Sequence, residues 1–88
     1  MFYNNEVNMD NTKKITIYSL PTWPHCKRAI KLLEENGFSF QEINVASDKV
    51  GREEMIRKSN QMSVPVIEID GEITVGFNEA ELRKKLGI

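Results

Sequence analysis

Three observations predict an α/β domain with a four-stranded mixed sheet and helices on both faces. Short β-rich runs alternate with helix-period segments over most of the chain, an Asp70-Gly71 pair separates two apolar runs, and a capped amphipathic segment closes the sequence. Strand-helix-strand order favours a right-handed parallel crossover, whereas the Asp-Gly pair makes its flanking strands antiparallel, so the sheet has to be mixed. The expected order is β-α-β-α-β-β-α.

Each element has its own signal. Ile15, Ile17 and Leu20, with Thr16 and Tyr18 between them, predict a strand over about residues 14–18 that stops at Ser19-Leu20-Pro21. Pro24 suits the first turn of a helix, and Cys26, Ala29, Ile30 and Leu33 recur on one apolar face while Lys27, Arg28, Lys31, Glu34 and Glu35 cover the other. Asn36-Gly37 supplies a left-handed stop. Phe38, Phe40, Ile43 and Val45 then predict a second strand whose alternation slips at Gln41-Glu42. Asp48 can cap a helix running to about Asn60, with Met55, Ile56 and Ser59 inward and Gly51 weakening its first turn. Val64 to Ile69 and Ile73 to Val75 flank Asp70-Gly71, which tolerates the positive φ of a tight hairpin turn. Asn78, with Glu81 in capping-box spacing, opens a last helix that turns Leu82 and Leu86 inward.

Composition bounds what the chain can do. At 88 residues and 40% hydrophobic content there is room for one modest core, since small domains bury little surface per residue. The domain is expected over residues 13–88, and residues 1–12, polar and without apolar period, read as a disordered tail in which Met9 is an alternative start. A net charge of -1, from 12 basic and 13 acidic residues, gives no one-signed field for nucleic acid or an anionic membrane. No apolar run reaches the ~18 residues of a membrane span, and no signal-peptide pattern opens the chain. One cysteine cannot staple a fold, so a reducing, cytoplasmic setting is expected.

The chemistry is concentrated in Thr22-Trp23-Pro24-His25-Cys26, where the first strand hands over to the first helix. Two cysteines in C-x-x-C spacing at such a junction make a redox pair. The first meets unpaired N–H groups and the positive end of the helix dipole, which lower its pKa and create an attacking thiolate. The second, one turn later, faces the core and attacks the mixed disulfide from inside. Here Cys26 holds the second position and Trp23 the first. Desolvation disfavours the thiolate of a buried cysteine, so Cys26 alone is expected to turn over slowly or not at all. His25 is the only histidine, and one His with one Cys cannot complete a tetrahedral site, so no metal is expected. His25 is read as the variable position of the motif, tuning thiol acidity and substrate contact.

Four segments in register, Lys14-Ile15-Thr16-Ile17-Tyr18-Ser19, Pro24-His25-Cys26, Ser63-Val64-Pro65-Val66 and Val75-Gly76-Phe77-Asn78, resemble the small glutaredoxin-like redoxins of bacteria, over about residues 13–88. The resemblance implies a thioredoxin fold and thiol-disulfide oxidoreductase activity. It places the nucleophile of a C-P-x-C motif at Trp23 and the resolving cysteine at Cys26. It also implies a cis Val64-Pro65 bond facing the motif, with the Val64 backbone free to pair with an extended thiol substrate. Gly76, Phe77 and Asn78 would lie beside that groove, with N–H groups at the last helix's start open to a carboxylate such as glutathione's. Glutathione-using members carry a fuller Gly-Gly and paired-Asp arrangement there, whereas this chain has Gly76 alone and no Asp nearby. A flavin-dependent reductase therefore competes with glutathione as reductant, and protein disulfides are the expected substrates. No bound cofactor is implied, and the protein is expected to be a monomer, with a Cys26-linked dimer as the alternative.

Trp23 leaves three readings open. Selenocysteine is encoded by UGA, which differs by one base from the tryptophan codon, and a selenol is more acidic and more nucleophilic than a thiol. The native residue at 23 would then be selenocysteine or cysteine, and the Trp23 chain would be inactive. The second reading is a substitution that blocks catalysis. In the third, the chain is a non-catalytic binding module of the same fold whose groove Trp23 plugs.

Overall fold

A computed structural model describes residues 13–88. The tail expected at residues 1–12 lies outside the described residues. The elements follow the expected order: β1 (Ile15–Ser19), α1 (Pro24–Glu35), β2 (Gln41–Asn44), α2 (Lys49–Ser59), β3 (Val66–Ile69), β4 (Glu72–Val75) and α3 (Glu79–Leu86). The four strands lie in the order β2-β1-β3-β4, with β1 and β2 parallel and the other two pairings antiparallel. This is the thioredoxin fold.

The sheet carries a core on each face because side chains alternate along its strands. Ile15 and Ile17 of β1, opposite Ile69 and Ile67 of β3, pack with Ala29, Leu32 and Leu33 of α1 and with Leu82 and Leu86 of α3. On the other face Tyr18 and Val66, also cross-strand partners, pack with Met55 of α2, Val45 and Val64. Cys26 joins this second cluster from the first turn of α1. Burying each of the larger apolar side chains contributes about 1.5–3 kcal/mol, so both faces are needed for a domain this small.

The turns behave as their chemistry requires. Asp70 and Gly71 both have positive φ, 50° and 90°, the geometry of a two-residue hairpin turn. Gly37 has φ 76°, and the N–H of Phe38 reaches back to the Leu33 carbonyl at 3.0 Å, which closes α1. Asp48 accepts from the Gly51 N–H at 2.8 Å, and Asn78 accepts from the Glu81 N–H at 3.0 Å. The reciprocal arm of the capping box is replaced, since Glu81 turns to Lys85 at 3.8 Å.

Several details differ from the sequence expectations. The first strand runs one residue further, so Ser19 belongs to it. The second strand is confined to Gln41–Asn44 at the sheet edge, and Phe38 and Phe40 precede it, packing on the α1 and α3 side. The third strand begins at Val66, after a bend at Val64 and a cis Val64-Pro65 bond. Gly51 is buried, and a Cβ on it would overlap Cγ2 of Ile43. That glycine gives up helix propensity so that α2 can lie close to β2.

Candidate functional site

The β1–α1 junction fixes the motif. The Trp23 N–H donates to the Leu20 carbonyl at 2.9 Å, and the Trp23 carbonyl accepts the Lys27 N–H at 3.0 Å, so residue 23 is the N-cap of α1. Pro24 follows at the first helical position, where its missing N–H costs nothing. Trp23 makes no side-chain cap: an indole has only a donor, and the helix N-terminus needs an acceptor. Its side chain stands 50% exposed. His25 is exposed beside it.

Cys26 is the opposite case. It is fully buried, and the Leu20 N–H donates to its Sγ at 3.4 Å. Burial pushes the Cys26 thiol above its ordinary value; the Leu20 N–H draws it partly back, and the Glu42 carboxylate adds to the rise. Among the described residues the thiol is unpaired. One turn of helix therefore separates an exposed cap position from a desolvated, protonated thiol.

The cis Val64-Pro65 segment belongs to the same region. Val64 shares the apolar cluster with Cys26 and Tyr18, and Pro65 is fully buried. Gly76 reaches Pro65 across the hairpin: its N–H donates to the Pro65 carbonyl at 2.8 Å, and its φ of 80° lies where glycine is favoured. The Gly76 N–H is therefore spent within the protein and is not open to a ligand. Phe77 is half-buried against the α1 and α3 core, where it lines a groove of about 210 Å³ with Arg28, Lys31 and Arg83. Asn78 caps α3. The structure thus brings Trp23, Cys26, Val64 and Pro65 to one end of the sheet, and turns Phe77 toward the helices.

The comparisons agree with this geometry. The glutaredoxin family profile matches residues 15–74, which includes the motif, the cis proline and the hairpin turn. This chain belongs to the glutaredoxin family. It is 51% identical over 70 residues to an uncharacterized glutaredoxin-like 8.6 kDa protein of the rubredoxin operon of Clostridium pasteurianum, covering 80% of this chain and 93% of that one. It is 43% identical over 65 residues to glutaredoxin 3 of Escherichia coli, covering 74% and 78%. The crystal structure of a glutaredoxin from Archaeoglobus fulgidus superposes with a TM-score of 0.77 at 26% identity, covering 93% of this chain and 95% of that one. At the level of the family, the fold is that of a glutaredoxin-like thiol oxidoreductase.

The rest of the domain adds two polar features that sequence reading missed. Tyr18 donates to Glu54 at 3.0 Å and accepts from Lys58 at 3.4 Å, and Lys58 pairs with Glu68 at 2.8 Å. That network borders an open cavity of about 610 Å³ reaching Lys14 and Thr16, away from the motif residues. Nearer the thiol, the hydroxyl of Ser19, itself fully buried, donates to Glu42 at 3.2 Å. Only the slipped alternation at Gln41-Glu42 hinted at it. Among the described residues no cluster of His, Cys, Asp and Glu could hold a metal ion, and no helix is long and apolar enough to cross a membrane.

Proposed function

We propose that position 23 is the seat of the attacking atom of a glutaredoxin-type thiol-disulfide oxidoreductase, and that the native residue there is selenocysteine or cysteine, with Trp23 the product of readthrough or reassignment at that codon. One observation carries this reading. The N-cap of α1, one turn ahead of a buried thiol, is occupied by a half-exposed side chain that cannot cap. A selenolate or thiolate at the same position would accept the free N–H groups of the first turn and be stabilised by the helix dipole.

In the mechanism so assigned, the anion at position 23 attacks one sulfur of a substrate disulfide and expels the other as a thiolate. Cys26 then attacks position 23 from the core side and releases the second half of the substrate. The Val64 backbone offers strand-like pairing to the extended substrate, and His25 contacts it from the helix. The free N–H groups at the start of α3, beside the Asn78 cap, suit a carboxylate of glutathione. Glutathione or a flavin-dependent reductase would restore the reduced pair in a reducing, cytoplasmic setting. Burial of the one thiol favours a monomer over a Cys26-linked dimer. The Trp23 chain lacks the first step and is inactive.

The test is the Trp23→Cys variant, assayed for reduction of a small disulfide by glutathione or by dithiothreitol. Turnover well above that of the Trp23 chain is expected. No turnover in a variant whose circular dichroism and melting are intact would overturn the reading and leave a binding module whose groove carries an exposed indole.

A further inference from the structure

Glu42 lies outside the redox motif, yet its carboxylate is held at the end of β1 that also contacts the Cys26 thiol, where its charge adds to the larger effect of burial. The end of β1 joins the two groups. The buried Ser19 hydroxyl donates to Glu42 Oε2 at 3.2 Å, and the N–H of the next residue, Leu20, donates to Cys26 Sγ at 3.4 Å. In the parallel pairing Glu42 stands opposite Ile17 and Ser19 opposite Asn44, so the Glu42 side chain leans along the strand toward the end where α1 begins. Among the described residues no cation lies within ion-pair distance of Glu42. A surface glutamate held by a buried hydroxyl and left without a counter-charge among the described residues is placed to act on its neighbour.

We infer that Glu42, held by Ser19 beside the Leu20–Cys26 contact, is a positioning residue that adds to burial in disfavouring the Cys26 thiolate and so slows its attack on a mixed disulfide at position 23. The inference rests on the oxidoreductase reading above. In the step concerned, Cys26 gives its proton to solvent and its sulfur bonds the sulfur or selenium at position 23. The bond from position 23 to the substrate sulfur breaks, and the substrate leaves as a thiolate that takes up a proton. The electron pair ends on the substrate, and no outside oxidant or reductant enters. Slowing this step lengthens the life of the mixed disulfide, which gives an external thiol time to release the substrate instead. Glu42 would therefore weight the site toward single-nucleophile chemistry.

Few other titratable groups surround the thiol. Tyr18 of β1 shares its cluster but is engaged by Glu54 and Lys58 of α2, while His25 and Lys27 lie exposed on its own helix. Val45, Val64 and Val66 contribute no charge.

The test is a pH titration of Cys26 followed by its ¹³Cβ chemical shift, a single signal because the chain has one cysteine. Glu42→Gln keeps an acceptor for Ser19 and removes the charge. It should lower the midpoint by about half a pH unit, an increase of about threefold in thiolate at any pH below it. Ser19→Ala, which frees the carboxylate to turn to water, should shift the midpoint in the same direction and stands alone if Glu42→Gln disturbs the fold. A purely structural role would leave the midpoint in place. An unmoved or rising midpoint overturns the inference, and a shift in Glu42→Gln without one in Ser19→Ala overturns the part assigned to Ser19. The titration uses the chain with Trp23, so its outcome is independent of whether Trp23→Cys restores turnover.

Discussion

The backbone N–H of Leu20 points at the sulfur of Cys26 across 3.4 Å, the polar contact made by a side chain that is otherwise wholly enclosed by the core. That contact ties the end of β1 to the first turn of α1 and fixes the thiol under the cap position. It predicts a thiol that reacts only when this region opens. Alkylation of Cys26 by a small probe at neutral pH should be at least about a hundredfold slower in the native protein than in denaturant. Equal rates would mean that the thiol is exposed and free to cross-link.

Stability should fall at alkaline pH, and Cys26 should contribute to the fall. Its thiol is raised by burial above 9.0, so between the unfolded and folded values the native state holds a proton that the unfolded state has lost. The stabilisation is complete below the unfolded value and disappears as pH rises through the folded one. Tyr18, raised chiefly by burial, and Lys58, raised chiefly by its hydrogen bond to Glu68, act with the same sign at higher pH. Thermal melts from pH 7 to 10 should show this loss, and Cys26→Ser should flatten its first part. A melting temperature that rises over this range would contradict the assignment.

Gly51→Ala separates packing from helix propensity. Propensity alone predicts a gain of up to about 1 kcal/mol for alanine within α2. The Cβ, however, would overlap Cγ2 of Ile43, a group fixed on a branched Cβ that cannot swing aside as the end of a long side chain would. The overlap should win, with a net destabilisation of about 1–3 kcal/mol by chemical denaturation. An unchanged or higher midpoint would show that α2 can shift without penalty.

Much of the fold was legible because local chemistry and global position agree. Asp70-Gly71 could only turn, Pro24 with the Cys26, Ala29, Leu33 spacing could only be a helix with its thiol inward, and Asp48 and Asn78 cap where their side chains suggest. What escaped depends on contacts distant in sequence. The apolar period of Phe38 and Phe40 suggested a strand, but both are drawn into the core beneath α1 before the edge strand starts at Gln41. Gly51 looked like a weak point in a helix, and its reason lies in Ile43. That the Pro65 carbonyl takes the Gly76 N–H has no local signal either. The link from Ser19 to Glu42 spans 23 residues and has no motif of its own.

Whether position 23 is the seat of a nucleophile is decided by the codon for that residue together with the intact mass of the protein isolated from its own cells. UGA is expected, with a mass and selenium isotope pattern that fit selenocysteine at 23, or else a cysteine codon with the mass of cysteine. UGG with the mass of tryptophan would contradict this, and would make this a member of the glutaredoxin family that keeps its resolving thiol without an attacking one.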